Sequence, residues 1–99
     1  HNDVGSYIIV LDGSLPMVCD PGAEVYTART FSKQRYEGKL LNSYGHSVPV
    51  VAGALQSVGK DARGVLLAEE SGDDREWLSW DLAAAYPEAK ALRKLTREI

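Results

Sequence analysis

Tyr7-Ile8-Ile9-Val10-Leu11, followed by Asp12-Gly13-Ser14 and then Leu15-Pro16-Met17-Val18-Cys19, is the pattern that leaves this chain the fewest architectures. β-Branched and aromatic residues suit an extended, half-buried backbone, and an Asp-Gly step supplies the positive φ angles of a tight hairpin turn. Residues 6–20 therefore read as a β-hairpin. Pro16 cannot donate to a ladder, which puts its position in the return strand at an edge or a bulge. Asp20-Pro21-Gly22 stops that strand.

Further short strand candidates follow at Lys39 to Leu41, Val48 to Val51, Ala54 to Val58 and Val65 to Glu69, separated by turn-rich stretches. Residues 23–36 lack clean periodicity and read as a long excursion, a kind of segment that carries function more often than scaffold. Trp77 to Asp81 suits strand or helix. From Asp81 the local preference changes: Ala83, Ala84, Ala85, Ala89, Ala91, Leu92 and Leu95 favour helix, broken at Pro87 and resuming near Glu88. The expected fold is mainly β, an antiparallel β-sandwich-like segment with a short C-terminal helical piece, because closely spaced turns suit hairpins better than βαβ crossovers.

The chain has 99 residues, enough for one domain, with 44% hydrophobic and 25% charged residues, which excludes a disordered, collagenous or disulfide-built chain. No apolar run is long enough to span a bilayer as a helix. A net charge of −3, with no basic stripe interleaved by aromatics, argues against nucleic acid as the main partner. The single Cys19 lies in an apolar stretch and reads as a buried structural thiol. No basic-then-apolar leader opens the chain, and it begins without Met, as a processed chain or a piece of a longer one does.

Three residues form the one credible metal set: His1, Asp20 and His46, each at a strand end or in a turn. Zinc accepts two imidazoles and a carboxylate, with a fourth group completing the tetrahedron. On spacing alone the plainer assignment is favoured, with His46 a turn histidine, His1 a chain-end residue and Asp20 a cap on the Pro-Gly turn, because no short ligand motif is present. A second constellation, Tyr26, Arg29, Lys33, Arg35, Tyr36 and Tyr44, combines rings that can stack on sugar faces with cations that can hold carboxylates or sulfates. It reads equally well as a solvated loop with tyrosines packed at its base. No nucleophile elbow and no phosphate-binding glycine loop is present.

Several segments, in order, resemble the heparinase II/III-like polysaccharide lyases: His1-Asn2-Asp3-Val4-Gly5-Ser6-Tyr7, Asp20-Pro21-Gly22-Ala23 with Tyr26-Thr27, and Asn42-Ser43-Tyr44-Gly45-His46-Ser47-Val48-Pro49 with Val51-Ala52-Gly53. Asp81-Leu82-Ala83-Ala84-Ala85-Tyr86-Pro87 resembles a later motif of the group. The resemblance implies that residues 1–99 belong to the family's C-terminal region of stacked antiparallel sheets, truncated at both ends. The N-terminal α/α toroid would then lie outside the chain, together with the catalytic His and Tyr. It also implies that the segment from Glu88, helical by propensity, can turn into a strand through tertiary pairing.

What the resemblance implies for function is a carbon–oxygen lyase that cleaves uronate-containing glycosaminoglycans, such as heparin and heparan sulfate, by β-elimination. The 99-residue chain alone would be inactive. It also reverses the metal assignment: by matched position, His1, Asp20 and His46 would bind a structural zinc that orders the loop beneath the substrate. Tyr26, Arg29 and Arg35 would be substrate contacts, the partner would be an acidic polysaccharide, and the parent would be periplasmic or secreted. The competing expectation is a non-catalytic β module that binds carbohydrate or protein.

Overall fold

A computed structural model describes residues 3–99. Two antiparallel sheets and four short 3-10 turns make up its regular structure. The first sheet is the hairpin of β1 (Ile9–Leu11) and β2 (Leu15–Val18). Asp12 at φ 49° and Gly13 at φ 71° form its turn, closed by a 3.1 Å bond from the Ser14 N–H to the Leu11 carbonyl. Pro16 lies opposite Val10, and the register shifts between Val10 and Ile9, so the proline sits beside a bulge as its missing N–H requires.

The second sheet has the order β3 (Val65–Ser71), β4 (Glu76–Asp81), β5 (Thr96–Glu98). Gly72 and Arg75 close the β3–β4 hairpin, and Trp77 faces Glu70 across it, donating its indole N–H to that carboxylate. The strand candidates at Lys39 to Leu41, Val48 to Val51 and Ala54 to Val58 do not form ladders. Lys39 to Leu41 fold as a turn and the other two run mostly as irregular chain, with one isolated bridge between Val51 and Ala54.

Two features of the expected fold are corrected. The sheets do not close into a sandwich: they are separate and open, and the hairpin leaves Ile8, Ile9, Val10, Leu11, Leu15 and Met17 exposed. The radius of gyration, 15.0 Å, exceeds the roughly 13 Å of a compact chain this long, and the molecule is flattened to 46 × 38 × 21 Å. Nor is there a C-terminal helix. Among the described residues, the Ala-rich segment makes only the 3-10 turn Ala83–Ala85 and isolated turns after Pro87, then becomes β5. Helix propensity contributes only a few tenths of a kcal/mol per residue, and a helix this short is marginal alone. Against that stand the β5 pairing of Arg97 with Trp80, the 2.8 Å bond from Leu82 N–H to the Leu95 carbonyl, and Asp81 Oδ1. That oxygen accepts the N–H groups of both Ala83 (3.0 Å) and Leu95 (3.2 Å).

The small core forms where this return strap meets the middle of the chain. Leu82, Ala85 and Tyr86 are buried, with Val4, Val51, Ala62, Trp80, Ala89, Leu92 and Leu95 packed around them. Burying a side chain such as Leu82 contributes roughly 1.5–3 kcal/mol. Gln56 is buried among them and ties in the N-terminal segment: its Oε1 accepts the Val4 N–H and its Nε2 donates to the Val4 carbonyl, both at 2.9 Å. This mimics a backbone ladder pair between residues 52 apart in sequence. The Tyr86 hydroxyl accepts from Gln56 Nε2 at 3.2 Å and donates to the Pro49 carbonyl. Burial raises the Tyr86 pKa above its ordinary value, against the opposing effects of Gln56 and Arg97. Cys19, expected to be buried, is exposed, because it directly follows β2 in a hairpin whose apolar residues are themselves left exposed.

Candidate functional site

The hairpin delivers Asp20 to a turn that its own side chain organises, with Oδ1 accepting the Gly22 N–H at 3.0 Å, an Asx-type turn. His46 arrives from the other side at the end of the 3-10 turn Ser43–Gly45. Asn42 caps that turn by accepting the Tyr44 N–H at 2.9 Å. Gly45 allows the turn to close onto Leu40: a Cβ there would come within 2.6 Å of the Leu40 carbonyl oxygen.

The two turns meet with His46 Nδ1 lying 2.8 Å from Asp20 Oδ1. Their side chains are only 11% and 19% exposed. Gly22 makes the approach possible, since a Cβ on it would overlap Cε1 and Nδ1 of the imidazole. The other carboxylate oxygen, Oδ2, accepts the Ser6 hydroxyl and, at 3.4 Å, the Ser47 N–H. Burial pushes the Asp20 carboxyl up, but the hydrogen bonds from Ser6, Gly22, His46 and Ser47 together outweigh it and hold the pKa below the ordinary value. Ser47 strengthens the junction by donating its hydroxyl to the Cys19 carbonyl at 2.9 Å. Its own carbonyl accepts from Arg97 at 2.6 Å, and the Arg97 guanidinium lies 4.6 Å from the centre of the Tyr7 ring.

Two of the three residues assigned to zinc are therefore neighbours, and the third, His1, lies outside the described residues. Among the described residues no group of three or more His, Cys, Asp or Glu side chains converges on a metal position. Two ligands about 2.0 Å from a tetrahedral zinc stand about 3.3 Å apart, whereas His46 Nδ1 and Asp20 Oδ1 stand 2.8 Å apart as a direct hydrogen bond. The contact is that of an imidazole oriented by a carboxylate on Nδ1, with Nε2 left for other work.

The residues assigned to substrate lie elsewhere. Arg29 is engaged with Glu24, its Nη2 lying 3.3 and 3.2 Å from the two carboxylate oxygens. Arg35 donates to the Thr30 carbonyl at 3.2 Å and lies 5.7 Å from the centre of the Tyr36 ring. Tyr26 is 69% exposed and meets Phe31 edge-to-face at 5.7 Å. None of the three makes a hydrogen bond, ion pair or ring contact with Asp20 or His46. The site's other participants, Ser6, Gly22, Ser47 and Arg97, carry no spacing signal; the Asp-Pro-Gly turn alone hints at Gly22. No protein-family model matches the chain, and no curated protein matches it.

Proposed function

We propose that this chain is the β-rich part of a polysaccharide lyase of the heparinase II/III type, contributing a wall of the substrate cleft and a structural zinc site. One observation supports it above the others: Asp20 and His46, assigned to zinc by matched motifs, lie 2.8 Å apart although one follows a hairpin and the other a 3-10 turn. With His1, they would hold a zinc that pins the N-terminal segment, the Asp20 turn and the His46 loop together; its chemistry there is cross-linking, since folding and metal binding are coupled in such sites. The reaction of the parent would remove the C5 proton of a uronate, neutralise its carboxylate and protonate the departing O4, with base and acid supplied from outside these 99 residues. Tyr26, Arg29 and Arg35 would contact the acidic polysaccharide, and the substrate class would place the parent in the periplasm or outside the cell. Among the described residues no helix is long and apolar enough to cross a membrane.

The test is an elimination assay on the intact parent with heparin or heparan sulfate, read as ultraviolet absorbance of unsaturated uronate, together with metal analysis. Product and about one zinc per chain, lost on His46→Ala, are the expected results. No product from any uronate polysaccharide would overturn the lyase assignment, and a metal-free parent would overturn the zinc.

One observation favours a second reading, a non-catalytic β module that binds carbohydrate or protein. Both Asp20 oxygens already carry donors from Ser6, Gly22, His46 and Ser47, so the junction is satisfied without a metal. In that case a chelator leaves the melting temperature unchanged.

A further inference from the structure

Beside the Asp20–His46 junction lies an open cavity of about 430 Å³, lined by Ser47, Val48, Pro49, Leu95, Thr96 and Arg97. Arg97 is the one charged side chain in its wall. β5 fixes its backbone opposite Trp80, and the Tyr7 ring supports the guanidinium at 4.6 Å. A single Nη1 bond to the Ser47 carbonyl sets its direction. A guanidinium carries five N–H donors in a rigid fork. Among the described residues, the Ser47 carbonyl is the one acceptor these donors meet, and no carboxylate pairs with the charge. Arg29, by contrast, is neutralised by Glu24.

We propose that this cavity is a binding site for a single oxyanion, the carboxylate or sulfate of a small polar ligand, with Arg97 as its recognition residue. The cation is already oriented by an aromatic ring and a carbonyl, so binding requires little ordering of a long side chain. Val48, Pro49 and Leu95 give the cavity half-buried aliphatic walls, and a charge-assisted hydrogen bond gains strength where such walls lower the local dielectric. None of its lining residues belongs to the excursion that carries Glu24 and Arg29, and the site stands whether or not the chain belongs to a lyase.

The test follows the backbone amide resonances of Ser47 and Val48 in the full chain by NMR during titration with glucuronate and, separately, with sodium sulfate. A saturable shift with either probe is expected, the more effective one identifying the source of the oxyanion. Arg97→Lys keeps the charge but loses the fork, and Thr96→Glu places a competing carboxylate at the exposed rim without touching the Ser47 bond. Each is expected to weaken binding roughly fivefold, the effect of one charge-assisted contact at a partly exposed site. Absence of a saturable shift with both probes, or unchanged binding in both folded variants, would overturn the proposal. The elimination assay on the parent reads an independent property, so the two can fail separately.

Discussion

His46 Nδ1 lies 2.8 Å from Asp20 Oδ1 across 26 residues of chain, and Gly22 leaves the space in which the two meet. The contact joins the exposed hairpin to the loop that leads into the core, so its removal affects tertiary attachment more than any strand. Each side of it yields a measurable consequence.

Gly22→Ala would drive a methyl group into the imidazole, and neither turn can retreat without breaking hydrogen bonds to Asp20. Overpacking of this kind costs about 1–3 kcal/mol. The midpoint of urea unfolding should fall accordingly, and the His46 ring resonances should shift; an unchanged midpoint would show that the ring moves aside freely.

Acid should loosen the same junction. Asp20 has a folded pKa below its ordinary value of 3.8, so the folded state resists its protonation. A depressed carboxylate contributes stability that is fully present above the unfolded pKa and is lost as pH falls through the lower folded value. Asp81, lowered by the backbone N–H groups of Ala83 and Leu95, acts in the same direction. Stability should therefore be flat above about pH 5 with respect to these groups and decline below about pH 4. Asp20→Asn should lower the plateau and flatten part of the acid slope, as checked by unfolding curves across that range.

Gln56→Ala would strand the Val4 N–H and carbonyl, while the Tyr86 hydroxyl would keep only its bond to the Pro49 carbonyl. Unpaired buried polar groups cost about 1–3 kcal/mol each where water cannot reach them. A loss of about 2–4 kcal/mol is expected, with faster hydrogen exchange at the Val4 amide. Gln56→Glu, which keeps an acceptor for Val4 N–H but loses the donor, should exchange faster than the parent as well.

Arg29→Ala removes an ion pair whose arginine side chain is 47% exposed. Such pairs contribute at most about 1 kcal/mol, so thermal stability should barely change. Any loss of uronate-polymer binding in this variant, measured by affinity electrophoresis, then reports contact with the polymer; equal binding would remove Arg29 from the substrate assignment.

The hairpin was legible because its information is local. Asp12-Gly13 dictates the turn, and Pro16 requires the irregularity found beside it. The β3–β4 hairpin was legible in part for the same reason, through the strand candidate Val65 to Glu69. The segment after Pro87 misled because alanine propensity is local too, whereas β5 exists only through its partner β4. Cys19 misled in another way: its apolar neighbours imply burial only if another layer covers the hairpin. At the site, residue type and turn position brought forward His1, Asp20 and His46, yet spacing alone favoured a turn histidine and a turn cap, and only the resemblance placed them together. Arg97 and Ser47 have no local signature, and their place beside the pair depends on where the C-terminal strap returns.

The amino-acid sequence by itself determined the Asp12-Gly13 hairpin turn, the two extended segments it joins and the turn at Asp20-Pro21-Gly22, because neighbouring residues and backbone sterics decide those within a few positions. Only the tertiary structure decided that the two sheets stay open, that the Ala-rich segment becomes a strap and strand, and that Arg97 faces a cavity next to Ser47. Those outcomes turn on Asp81 holding Leu95, Gln56 holding Val4 and Gly22 yielding to His46. Each joins residues far apart in sequence, where local propensities of a few tenths of a kcal/mol give way to burial and to the pairing of buried polar groups.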